Sequence, residues 1–407
     1  MIINLRNLIY VPCITVFMFA TIFDPADVLL GLKVPLFVLC FVVGGLICVI
    51  RPRQIFLPRP LLVYTLMFVF IPLFSIFVYY LRNGTDPYEG FVMLKAYLFI
   101  FLAILLVVMG VDVTKYLSNI LVLMAVCIIF LFVFLLVFPE YFALTNAIGM
   151  ETQVFYPGKR SYDGVTTFQR AYFACSQMLV VPISYYFFRF RESSNQNLLS
   201  LSFLVISIVA LFLAGSRNAM FTAVLLPVSL YVIFSRKTIL SMSIVLCLII
   251  VLLAIFSVQI SSFLDPTEYS NSAKISYLSD YVNIYSDLNY LFFGQGLGAY
   301  HHFSIFSKPW FITELTYFEV IRNFGLFLGV TMLLMLVYPV YKSFRLGMNA
   351  GLQKHIAVGY SFYLLMGFSN PTLFSSMGIL ILSLVLAGLY SVENRVNATT
   401  LAIPSRE

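Results

Sequence analysis

The sequence predicts an all-α, polytopic membrane protein of about twelve transmembrane helices with a large extracytoplasmic loop. Three observations predict it. The 407 residues are 61% hydrophobic and only 10% charged, against about 45–50% and about 25% in soluble domains. Apolar runs near 20 residues, the length that crosses the hydrocarbon core, recur along the whole chain. Most short turns between them alternate between basic and non-basic, as the positive-inside rule expects.

In chain order the spans fall near 7–23, 28–50, 61–80, 91–111, 117–138, 171–188, 198–214, 219–234, 238–260, 312–340, 355–370 and 373–392. The first is followed by Asp24-Pro25-Ala26-Asp27 without a small-residue cleavage signal, which predicts a retained helix. With the N-terminus inside, 14 of the 24 basic residues fall on the inner side, among them Arg51, Arg53, Arg189, Arg191, Lys342 and Arg345. The net charge of +7 is then largely topological, and no nucleic-acid partner is expected. Both termini are expected in the cytoplasm, and residues 1–407 form one membrane domain. Six cysteines lie within or at the edge of the spans and read as small apolar packing residues. No clustered Cys/His pattern suggests a metal site, and no cofactor is expected.

Chemistry is expected outside. The two longest breaks, 139–170 and 261–311, fall on the extracytoplasmic side, with the turn Ala214-Gly215-Ser216-Arg217-Asn218-Ala219. Cations are disfavoured there, so some of the outer ones are expected to bind anions. Arg217 stands between two apolar runs, and its rigid fork of donors matches phosphate or carboxylate oxygens; the bland alternative is snorkelling to headgroups. Lys159, Arg160 and Arg170 flank the end of the first break, where they either gather negative charge or touch lipid headgroups.

In the second break Ile275, Leu278, Tyr281, Val282, Tyr285, Leu288 and Leu291 follow helical spacing, which predicts an amphipathic helix on the membrane surface. Gly294-Gln295-Gly296-Leu297-Gly298-Ala299-Tyr300-His301-His302 follows. No βαβ unit surrounds it, so it is not a dinucleotide fingerprint; its glycines suit a tight turn that presents backbone and a His pair. Gly296, Gly298, Tyr300 and Tyr317 are candidate substrate contacts. In the next helix Glu314 and Arg322 stand eight residues apart and point to roughly one side. Glu319 and Arg322 are three apart and able to pair, which leaves Glu314 without a local partner. A partly desolvated carboxylate at a membrane rim can act as a general base, although a Glu can also simply favour a helix start. His301 and His302 are the rival bases.

Three motifs resemble the O-antigen polymerase (Wzy) and O-antigen ligase superfamily: Leu213-Ala214-Gly215-Ser216-Arg217-Asn218-Ala219, Phe293-Gly294-Gln295-Gly296-Leu297-Gly298, and Glu314 through Leu326. The likeness spans about residues 200–330. It implies glycosyl transfer at the outer face of a bacterial inner membrane, with undecaprenyl diphosphate-linked oligosaccharides as substrates and a fold like the lipid-dependent GT-C transferases. A polymerase moves the growing chain onto the non-reducing sugar of a fresh lipid-linked repeat unit. Ligases of the superfamily usually carry His where this chain has Glu314, so the resemblance implies a polymerase with Glu314 as base and Arg217 and Arg322 on the diphosphate. It also implies a Wzz-like chain-length regulator as partner. The alternatives are a ligase acting on lipid A-core and, from another class, a polysaccharide flippase.

Overall fold

A computed structural model describes residues 6–50, 57–84, 86–162, 166–192, 198–234, 243, 269–305, 308–346, 350–368 and 370–401. The structure is 79% helical. After one π-helical turn, Arg6–Tyr10, come α1 (Val11–Phe23), α2 (Lys33–Ile50), α3 (Arg59–Asn83), α4 (Tyr88–Leu98), α5 (Phe101–Met109), α6 (Thr114–Val137) and α7 (Phe142–Thr152). Strands β1 (Phe155–Tyr162) and β2 (Thr166–Phe173) lead to α8 (Val180–Glu192), α9 (Leu198–Leu213) and α10 (Arg217–Phe234). The later elements are α11 (Tyr269–Tyr285), α12 (Leu288–Phe293), α13 (Thr316–Arg345), α14 (Gly351–Gly367) and α15 (Ser376–Leu401).

Among the described residues, seven helices are long and apolar enough to cross a membrane: Lys33–Ile50, Arg59–Asn83, Tyr88–Met109, Thr114–Val137, Arg217–Phe234, Thr316–Arg345 and Ser376–Glu393. Leu8–Phe23 and Leu198–Leu213 are apolar but shorter. Predicted span 171–188 shortens to α8, of 13 residues, while α14, of 17 residues, covers most of predicted span 355–370. The predicted span 238–260 lies outside the described residues, apart from residue 243. The architecture is that of an all-α polytopic membrane protein.

The first outer break corrects the expectation of a plain loop. It folds into α7 and an antiparallel hairpin in which Phe155 faces Phe173 and Tyr162 faces Thr166. Aromatic and Thr-rich segments suit a pleated surface, and Asp163-Gly164 between them is a hairpin signal in the sequence. The hairpin also takes residues 171–173 from the predicted sixth span.

One hydrophobic core runs through the helices from Tyr10 to Tyr390, and a second, small cluster holds Tyr277, Tyr281, Ile284, Phe303 and Leu315. Large apolar side chains such as Phe130, Leu334 and Phe327 remain exposed on the outside of the helices. Such a surface suits lipid rather than water.

Hydrogen bonds tie the segments predicted to be outer into one end of the bundle. Lys33 Nζ reaches Ser376 Oγ (3.4 Å), Arg82 Nη1 reaches the Gly294 carbonyl (2.6 Å), and Thr372 Oγ1 donates to Gln177 Oε1 (2.6 Å). Thr316 Oγ1 donates to the Asn370 carbonyl at 2.9 Å. The segments predicted to be inner meet separately, where Lys342 pairs with Glu393 at 2.8 Å.

Candidate functional site

The second outer break and the head of α13 are built around one arginine. Arg322 is wholly buried. Its Nε donates to Glu319 Oε1 (3.1 Å), Nη1 to Gln295 Oε1 and to the Ala299 carbonyl (both 2.9 Å), and Nη2 to the Phe311 carbonyl (2.8 Å). A second Nη2 contact closes the ion pair with Glu319 Oε1. A guanidinium has five N–H donors, and all five are used inside the protein. Arg322 thus has no donor left for a diphosphate in this conformation. That corrects its expected role, and the pairing of Glu319 with Arg322 is the physical reason.

Glu319 is saturated in turn. Oε1 also accepts from Asn323 Nδ2 (3.2 Å), and Oε2 accepts from the Tyr281 hydroxyl (2.6 Å) and Thr313 Oγ1 (3.3 Å). Burial, and secondarily the Glu319 charge, pushes the Tyr281 hydroxyl well above the usual phenol range, so it stays a donor. A buried ion pair repays its desolvation only with such additional hydrogen bonds.

Helix α13 is not continuous. Gly325 sits at φ +75° and ψ 173° inside it, a combination nearly confined to glycine. The break releases the carbonyls just before it. The Gln295 N–H takes the Arg322 carbonyl (2.6 Å), while the Gly296 N–H (3.2 Å) and Ser75 Oγ (2.6 Å) take that of Asn323. The glycine turn is thus a cap for a broken helix. Gly294 packs against the backbone of Asn323 and Gly325, Gly296 against that of Tyr79, and Gly298 against Gly90, each with positive φ. Here the structure departs from the expectation that Gly296 and Gly298 present their backbone to substrate: they face other helices.

The remaining candidates have distinct surroundings. Glu314 is exposed, in a bend two residues before α13 rather than inside the helix. His301 is half-buried and shares two backbone hydrogen bonds with Trp310 (2.9 Å each). Burial and the Arg322 guanidinium hold its imidazole below the ordinary value, with Asp280 and Glu319 opposing and His302 adding to the effect. It is therefore a neutral imidazole, the form that can take a proton. His302 is exposed. Tyr300 is exposed, and its hydroxyl donates to Glu89 at 3.1 Å. The Tyr317 hydroxyl is tied to the Leu364 carbonyl at 2.6 Å, which anchors α13 to α14.

Arg217 is the first residue of α10, 7% exposed, and its Nη1 donates to Asn271 Oδ1 at 2.9 Å. The N-terminal amides of a helix at that point favour an anion. Lys159, Arg160 and Arg170 lie on the hairpin, which packs against α6, α7 and α9. Lys159 is exposed, its ammonium 5.3 Å from the Phe142 ring centre. Arg160 faces Phe168 in the ladder, and Arg170 lies across Gly158.

The predicted helix exists as α11, and its protein-facing side takes only part of the predicted apolar stripe. Tyr277, Tyr281 and Ile284 are buried, while Ile275, Leu278 and Val282 stay exposed. Helical spacing showed an apolar stripe; it could not show that Tyr281 turns inward to reach Glu319. The missed residues are Thr313, Asn323 and Gly325. Of these only Gly325, a glycine within a helical pattern, carried a signal.

No family model matches the chain, and no curated protein matches it.

Proposed function

We propose that the chain is a lipid-linked glycan polymerase working at the extracytoplasmic end of the bundle in a bacterial inner membrane. One observation carries the reading: the three motifs behind the resemblance are joined through α11. Arg217 of the first bonds Asn271, Tyr281 of the same helix bonds Glu319 of the third, and Arg322 of the third bonds Gln295 and Ala299 in and beside the second. Residues far apart in sequence gather into one assembly beneath the long loops.

In the proposed reaction the acceptor sugar hydroxyl attacks the anomeric carbon of the donor glycan. The bond from that carbon to the diphosphate oxygen breaks, and the undecaprenyl diphosphate leaves with the electron pair. Glu314, exposed at the rim, takes the hydroxyl proton, with His301 as second choice. Arg217 and the α10 N-terminus stabilise the charge that grows on the diphosphate. Direct displacement inverts the anomeric centre. Arg322 holds Glu319, the glycine turn and α13 in register rather than touching phosphate. A Wzz-like regulator remains the proposed partner, and both termini are placed in the cytoplasm.

The test is the polysaccharide ladder of cells carrying Arg217→Ala or Glu314→Gln. Cores capped with a single repeat unit support polymerisation. Bare core with accumulated lipid-linked polymer points to ligation, and unchanged ladders in both variants overturn the site. The break in α13 is also a transporter feature. Export of lipid-linked units from inverted vesicles, lost in Arg217→Ala, would favour the flippase reading.

A further inference from the structure

A groove on the outside of the bundle runs between α3 and α13, away from the proposed reaction. Its volume is about 630 Å³, and Val63, Met67, Leu334 and Met335 stand in its walls. Val63, Met67 and Leu334 are exposed, and both helices are long and apolar enough to cross a membrane. Tyr64 meets Met335, and Ser75 further along α3 meets Asn323 near the head of α13, so the two helices run antiparallel. Arg59, the first residue of α3, also lines the groove. It marks the end of the bundle opposite the long loops, where α13 closes at Arg345 and Lys342 pairs with Glu393.

The dimensions are those of one leaflet. From Arg59 to Met67 the wall runs eight residues, about 12 Å at ~1.5 Å per residue. Half of a ~30 Å hydrocarbon core is about 15 Å. The groove therefore crosses most of one leaflet, with its cation at the depth of the headgroups.

Hydrogen bonding narrows the occupant. The wall hydroxyls are already engaged: Tyr64 donates to the Met335 carbonyl (2.6 Å), Thr331 Oγ1 donates to the Phe327 carbonyl (2.8 Å), and Tyr338 and Tyr390 share a bond at 3.5 Å. A sugar or another polar molecule would give up its water there without replacement, whereas an apolar chain gives up nothing. Charge supplies the rest. Arg59 is exposed, no acidic residue stands in the first turn of α3, and among the described residues no carboxylate pairs with it. Its fork of donors matches phosphate oxygens. An apolar chain that ends in a negatively charged phosphate meets both demands.

We propose that this groove holds one anionic phospholipid of the leaflet opposite the long loops, with an acyl chain along Val63 and Met67 and its phosphate against Arg59. The site is independent of the polymerase reading.

The test strips the full chain of lipid in detergent and titrates it with dioleoyl phosphatidylglycerol or dioleoyl phosphatidylcholine, counting bound lipid by native mass spectrometry. The tails are the same, so only headgroup charge differs. The wild type should bind its first phosphatidylglycerol about fivefold tighter than phosphatidylcholine, the ratio given by about 1 kcal/mol for one cation near the surface. Arg59→Gln should bring that ratio to about one. Val63→Trp fills the groove from an exposed position and should weaken both lipids at least fivefold. Val133→Trp, at an exposed position on α6, should leave both unchanged. Equal binding of the two lipids by the wild type overturns the proposal. So does a preference that survives Arg59→Gln, binding that survives Val63→Trp, or an equal loss in Val133→Trp. A wild-type dimer that Val63→Trp dissolves would give the groove to a second copy of the chain and overturn it as well.

Discussion

Arg217 and Arg322 are alike in the sequence: each is a cation near the outer end of an apolar helix, in a motif with glycine nearby. Their surroundings differ. Arg322 is enclosed, with two contacts to a carboxylate and three to further acceptors fixing all its donors. Arg217 opens a helix, and one of its side-chain hydrogen bonds goes to the neutral amide of Asn271. Drawing Arg322 away would strand Glu319 in a buried site. The same residue type thus serves cohesion in one place and, in the proposed reaction, meets the diphosphate in the other.

Arg322→Met should break that contrast most strongly. It leaves Glu319 buried without its cation, and breaking a buried pair costs about 3–5 kcal/mol. The expected outcome is loss of folded protein, read as yield and melting temperature in detergent; a stable, well-folded variant would make Arg322 available for ligand and undo the distinction. Arg217→Ala should do the reverse, with the melting temperature nearly kept and the polymerisation rate down roughly 10²–10³-fold, as for loss of one transition-state donor. Gly325→Ala sharpens the structural side. Its backbone conformation costs a non-glycine residue about 1–3 kcal/mol, and the new Cβ meets the Phe292 carbonyl. Melting should fall more than for Gly45→Ala, whose Cβ meets nothing.

The smallest effect concerns His301. Its folded value lies below the ordinary one, so between the two the unfolded chain binds more protons. Stability should therefore be full above about pH 6.5 and decline as pH falls through the depressed value. His301→Gln should flatten that slope in melting curves taken at pH 7.5 and 5.5. An identical slope in the variant would place the titrating group elsewhere.

Much of this was legible in the residues. Long apolar runs and basic turns predict the helices and the gathering of the outer segments, because hydrocarbon thickness and charge placement act locally. The three-residue spacing of Glu319 and Arg322 predicts their pair. The hairpin at 155–173 was missed although Asp163-Gly164 signalled it, because the stretch read as a polar break followed at 171 by a membrane span. The sixth span was started too early, at 171, where β2 still runs.

What the sequence by itself determined is a bundle of apolar helices with its polar breaks, the glycine turn and a charged helix start. Only the tertiary structure decided that the turn caps a helix broken at Gly325, that Tyr281 faces inward, and that Arg322 has no donor to offer. Helical periodicity is a property of neighbouring residues. Satisfying a buried charge needs partners from residues 281 to 323, and no local pattern records which of them will arrive.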